Sequence, residues 1–213
     1  MSASLLENLR SSLRQSARRF WSEVGRGQRN RFSFEEWTLE LLPSATPLDE
    51  FDCGNTDLNE FFQNDAFENE KQLFAKTYVL QRDGYKISKG NPPIALFSLC
   101  NDAISTRKLD ELDREPGVKY YPNMPAVKIA RLGVHKEFQR GDVGTKILDM
   151  LKMLFLTENR TGCRMLTVDA YRDPPEVENF YKTRGQFSRV PDSKNSLKRP
   201  TVVMYYDLIR TMM

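Results

Sequence analysis

The sequence predicts an α+β (mixed α/β) fold in which a central twisted mixed sheet is flanked by helices, and three observations carry that expectation. Residues 126 to 170 read as strand, glycine turn, helix and strand, a βαβ unit whose two strands run parallel. Further strand-like and helix-like stretches stand on both sides of this unit, and no internal repeat interrupts them. The third observation is size. A chain of 213 residues, 39% hydrophobic and 11% aromatic, buries one substantial core. The expected organisation is therefore a domain over residues 32 to 213 preceded by a basic extension over residues 1 to 31.

The extension comes first in the chain. Leu5, Leu6, Leu9, Leu13, Ala17, Phe20, Trp21 and Val24 recur at helical spacing with Arg10, Arg14, Arg18 and Arg19 between them. This is the pattern of a basic amphipathic helix. It suits docking on its own domain, contact with RNA, a membrane surface or a protein partner, or an organellar transit peptide, an idea that Glu7 and Glu23 weaken. Residues 1 to 31 hold seven arginines against those two glutamates, a local charge of +5, so the overall +3 leaves −2 on the remainder. Attraction for polyanions is concentrated at this end.

Gly25 to Asn30 reads as a linker. Trp37 to Leu42 reads as the first strand, ended by Pro43 to Pro47. Phe51-Asp52-Cys53-Gly54-Asn55 leads into a helix over Thr56 to Gln72, with Leu58, Phe61, Phe62 and Phe67 on its apolar side. Strands are expected at Thr77 to Gln81 and Ile94 to Asn101, separated by the turn-rich stretch from Asp83 to Pro93. Residues 102 to 125, polar and proline-containing, read as a long connection with some helix. The next strand covers Ala126 to Val134, with Gly133 as a bulge or close-approach point. Val143, Ile147, Met150, Leu151, Leu154 and Phe155 define the buried face of a helix, with Lys146, Asp149 and Lys152 expected in solvent. A strand at Arg164 to Ala170, a helix at Glu176 to Thr183 and a strand at Thr201 to Leu208 complete the order.

Several function classes are excluded or disfavoured by residue counts. No run of about 18 apolar residues offers a membrane span. Cys53, Cys100 and Cys163 are odd in number and far apart, unlike a zinc site or a disulfide framework, and a cytoplasmic setting follows as the simplest expectation. Cys53 and Cys163 read as structural thiols. His135 is the only histidine, which rules out a multi-histidine metal site, so no metal is expected.

The segment Gln139-Arg140-Gly141-Asp142-Val143-Gly144-Thr145 carries the chemistry. A strand that ends in a glycine-containing turn and enters a helix leaves backbone N–H groups aimed at one spot, with the positive end of the helix dipole behind them. Arg140 adds charge and Thr145 a hydroxyl. Such a turn is either a phosphate cradle or an ordinary helix entry. It is neither a Walker loop nor a dinucleotide-binding GxGxxG.

Context separates the two. AVKIARLGV, QRGDVGTKIL, MLTVDAY and FYKTRGQF, in that order and at similar spacing, resemble the cofactor-binding half of the GNAT superfamily of N-acetyltransferases. FDCGNTDLNEFF, followed by TYVL and IALFSL, is similar to the toxin branch of that superfamily, and the resemblance spans residues 37 to 208. It implies a GNAT-like sheet and acetyl-CoA as co-substrate, bound by Leu132, Gly133, Val134 and the turn from Gln139 to Thr145. It implies direct attack of a primary amine on the thioester, with Tyr181 protonating the departing thiolate; the bland reading of Tyr181 is a core tyrosine. Glu137 and Asp169 are candidate bases, and neither is assigned. The acceptor is left open, with the amine of an aminoacyl-tRNA as one possibility. A degenerate fold acting as a binding module is the other, because Asp142 replaces a glycine of the family turn and Pro174 stands where many members have an asparagine.

Overall fold

The computed structural model describes residues 31–109, 116–159, 162–191 and 198–212. The helix expected within residues 1 to 31 thus falls outside the described residues, save for Arg31. The strands are β1 (Arg31–Phe34), β2 (Trp37–Leu41), β3 (Lys76–Arg82), β4 (Ala95–Ser105), β5 (Asn123–Val134), β6 (Met165–Tyr171), β7 (Ser188–Arg189) and β8 (Thr201–Asp207). They form one sheet in the order β1-β2-β3-β4-β5-β6-β8-β7. Only β5 and β6 pair in parallel; every other neighbour is antiparallel. The helix between β5 and β6 is what makes the parallel pair possible, as the βαβ reading requires.

The main core lies on the sheet face covered by α3 (Val143–Thr157) and α4 (Pro175–Thr183). Ile147, Leu148, Met150 and Leu151 of α3 are sealed against Phe97, Ile129, Leu166 and Met204 of the sheet. The opposite face is covered only in part. There α1 (Thr56–Glu60), a π-helical turn (Phe61–Asp65) and α2 (Ala66–Lys71) run on from one another, and Phe62 packs with Phe51, Val79 and Leu96. Asn55 caps α1, its side chain accepting from the Leu58 amide at 3.1 Å, as an Asn before a helix should.

Several elements differ from the sequence reading. Strand β1 was not expected; it pairs with β2 through a two-residue turn at Glu35 and Glu36, with Glu35 at φ 53. The polar run before Arg31 hides so short a strand. β4 extends to Ser105, well into the stretch read as a connection, because its outer half alternates exposed and buried residues opposite β5. The β-bulge falls at Ala130, between the pairs Ser98–Arg131 and Leu99–Ile129, and Gly133 is instead a close-approach point. A β-carbon on Gly133 would meet Cys53 Sγ and Phe62 Cε2, both at 3.2 Å. Lys152, expected in solvent, is buried, with its ammonium 3.3 Å from Asp149 and over the Tyr206 ring at 4.5 Å. Its aliphatic stem belongs to the core, and burial pulls its pKa down. The short β7 and α5 (Ile209–Met212) were also missed. Among the described residues no helix is long and apolar enough to cross a membrane.

Candidate active site

Strands β5 and β6 pair only from Ala126–Met165 to Ile129–Val168. Beyond that point β5 runs on to Val134 and β6 to Tyr171 without pairing to each other, so the sheet opens as a fork. The bulge at Ala130 sits where the fork begins, and a bulge bends and twists the strand that carries it. Backbone N–H and C=O groups on the facing edges of a fork have no strand partner and are available to a ligand.

The free end of β5 is held by the segment 51–59. Asp52 Oδ1 accepts from the Gly54 amide and the Asn59 side chain, both at 2.8 Å, and Asp52 Oδ2 meets Lys136 Nζ at 3.0 Å. The Gly54 hydrogen bond, then those of Asn59 and Lys136, hold the Asp52 carboxyl well below the usual carboxylate range. Asn59 Oδ1 accepts from the Cys53 amide at 2.9 Å and from its thiol at 3.1 Å. Gly54 takes φ 78, so it supplies the turn that precedes α1. Cys53 is therefore a structural thiol, and burial pushes its pKa up. His135, buried between Phe51 and Phe138, accepts from the Glu137 amide at 3.4 Å. The Gln139 side chain donates to the carbonyls of Cys53 at 2.8 Å and Val134 at 2.9 Å, tying this loop, the end of β5 and the turn together.

The turn itself takes left-handed backbone at Arg140 (φ 66) and Asp142 (φ 56), not at either glycine. Aspartate tolerates that region better than most residues. The Asp142 side chain points outward, 3.8 Å from Arg184 Nη1, and does not cap α3. The first-turn amides of α3, which have no partner within a helix, are thus left open by the chain. Gly144 has a packing reason of its own: a β-carbon there would lie 2.9 Å from Phe180 Cζ. The Phe180 ring locks the start of α3 to α4.

Tyr181 follows Phe180 and is buried at 6% exposure, with edge-on contacts to Phe180 and Phe187 at 5.1 and 5.7 Å between centroids. Burial pushes its phenol far above the ordinary value of 10.0. Burial thus favours the neutral phenol, which carries a proton to donate. Leu132 and Val134 pack towards the main core, while Gly133 faces Cys53 and, on the π-helical turn, Phe62. Pro174 precedes α4 after a cis Asp173–Pro174 bond.

A polar patch lies on the other sheet face, where α1 ends. Lys128 Nζ meets Asp169 at 3.0 Å and Asp102 at 3.8 Å, and Thr167 donates to Asp102 at 2.6 Å. Tyr171 donates to Asp57 of α1 at 3.2 Å. Arg131 stacks over the Phe61 ring at 5.0 Å, and its Nε is a buried donor with no protein partner. Of the two carboxylates considered as bases, Asp169 is tied to Lys128 and Glu137 is exposed on a short 3₁₀ turn. Sequence reasoning did not single out Arg131, which shares its largely apolar strand with a second cation, Lys128. Among the described residues no group of His, Cys, Asp and Glu could hold a metal ion.

The overall fold is shared with solved structures. The structure of AtaT complexed with acetyl-methionyl-tRNAfMet superposes with a TM-score of 0.65 at 20% identity, covering 83% of this chain and 97% of that one. A tyrosine-to-phenylalanine mutant of KacT gives 0.64 at 18% identity, with 84% and 98% covered. AtaTR bound with AcCoA gives 0.60 at 18% identity, again with 84% and 98% covered. The chain has the GNAT fold. No family model matches the sequence. Within the GNAT fold, β5, the turn, α3, β6 and α4 of this chain stand in the order that the four sequence segments implied.

Proposed function

We propose that the protein is an acetyl-CoA-dependent N-acetyltransferase. The observation that carries this reading is the fork between β5 and β6, with the uncapped start of α3 at its mouth. The residues fit the coenzyme: open first-turn amides and the Arg140 guanidinium suit a pyrophosphate, and the outward Asp142 side chain leaves that cradle clear. Bound there, acetyl-CoA supplies an activated acetyl thioester. Gln139 to Thr145 would hold its phosphates, the edge of Leu132 to Val134 that faces away from β4 would offer a main-chain N–H to the thioester oxygen, and Tyr181 would donate the proton that leaves with sulfur. The similarity to AtaTR bound with AcCoA supports this reading.

The polar patch beside Arg131 is the acceptor side. Its carboxylates are already engaged: Asp169 by Lys128, Asp57 by Tyr171 and Asp102 by Thr167. An acceptor that arrives largely neutral suits such a site. An α-amino group titrates at about 7.7–8.0 and a lysine side chain at about 10.4, so at neutral pH the α-amine is neutral in a fraction larger by a factor on the order of 10². This favours the α-amine of an aminoacyl ester, and the acetyl-methionyl-tRNA recorded for AtaT supports aminoacyl-tRNA as the acceptor class. The test is transfer of labelled acetyl from acetyl-CoA to charged tRNA, followed by translation in a cell-free system. Label on the amino acid and arrested translation are the expected results. Label on protein lysines alone would remove the tRNA reading and keep the transferase; no transfer to any amine and no coenzyme binding would leave a binding module.

A further inference from the structure

At the far end of α3 from the turn, about 22 Å away along fifteen residues, lies an apolar groove of about 390 Å³. Phe32 and Leu99 form its floor, and Leu154 and Phe155 of α3 form a wall. Leu73 and Phe74 stand on its rim, 85% and 66% exposed. Leu73 is also held at φ 63, left-handed backbone that a leucine adopts at a cost of about 1–3 kcal/mol. The groove lies at the opposite end of α3 from the turn that is proposed to hold the coenzyme phosphates. Two adjacent exposed apolar side chains at the mouth of an apolar groove mark a surface made to be covered.

The chain itself supplies a cover. Arg31 lines the groove, and thirty residues precede it. Leu6, Leu9, Leu13, Phe20 and Val24 fall on one stripe at helical spacing, and the arginines lie mostly off it. Gly25 to Asn30 give six residues of linker, a reach of up to roughly 20 Å, so a helix ending near Val24 can lie along the groove without straining the connection. We propose that the segment around residues 13–24 docks in this groove as an amphipathic helix, with Phe20, Trp21 and Val24 against Leu73 and Phe74 and the arginines turned to solvent. The docked segment completes the core at the sheet edge and presents a basic face there.

Hydrogen–deuterium exchange of the full chain tests this, at two protein concentrations differing tenfold, in the wild type and in a Leu73→Asp/Phe74→Asp variant. Both substituted side chains are exposed, so the domain itself is expected to fold, and unchanged protection of β4 checks that. Docking predicts slowed exchange over residues 17–24 at both concentrations, lost in the variant by at least tenfold in rate. Fast exchange in the wild type overturns the proposal. Protection that falls on dilution assigns the groove to a second copy, and protection that survives the double substitution places the segment elsewhere; either result also overturns it.

Discussion

Gly144 and Phe180 meet so closely that a β-carbon on the glycine would lie 2.9 Å from the ring. This contact joins the turn and α4, two elements that are 36 residues apart in the chain. Gly144→Ala gains up to about 1 kcal/mol of helix propensity but forces the ring to move, which costs roughly 1–3 kcal/mol in a packed site. Net destabilisation and slower turnover are expected, because Tyr181 follows the displaced ring. Adding Phe180→Leu makes room and should restore stability, a coupling that denaturant titrations of the four-variant cycle measure.

Tyr181→Phe removes only the donor. Acetyl transfer should slow by about 10²-fold or more, the usual scale of an acid catalyst, with coenzyme affinity unchanged. The same variant has a signature in stability. A phenol whose folded pKa is raised contributes stability that is present in full below its ordinary value of 10.0 and is lost as pH rises beyond it towards the folded value. The wild type should therefore lose stability more steeply above pH 10 than Tyr181→Phe does, as thermal melts between pH 9 and 11 would show.

Arg164, just before β6, and Asp207, at the end of β8, form a largely buried pair, with Nε and Nη2 of the arginine at 2.9 and 2.7 Å from the two carboxylate oxygens. Asp207 is 1% exposed, so Arg164→Ala leaves an unpaired charge and should cost about 3–5 kcal/mol. Urea unfolding of the variant checks this, and a loss below about 1 kcal/mol would contradict it.

Asn59 ties Cys53 and Asp52 behind the free end of β5. Asn59→Ala removes its hydrogen bonds to both, at about 1 kcal/mol each in stability. Because Gln139 bridges the same loop to Val134, weaker coenzyme binding should accompany the loss. Titration of the variant with coenzyme A reads that effect separately from folding.

The block from β5 to α4 was legible in the sequence because its spacing is local: a strand, a glycine turn and a periodic helix follow one another directly. Asp142 was also readable, since a residue tolerant of left-handed backbone was needed and is found there at φ 56. Long-range contacts were not readable. Nothing in the spelling ties Asp52 to Lys136, 84 residues later, or Tyr171 to Asp57, 114 residues earlier. Lys152 was misplaced because a charged residue on a helix is ordinarily solvated, and its neighbour on the sheet beneath the helix, Tyr206, is far along the chain. The fork itself depends on where pairing stops, which a bulge at an unremarkable alanine decides.

Calorimetric titration of the wild-type protein with coenzyme A tests the central claim most directly. The account predicts saturable binding of one equivalent, retained in Tyr181→Phe, while acetyl transfer from acetyl-CoA slows by about 10²-fold or more in that variant. Absence of any heat of binding to the folded wild-type chain would contradict it.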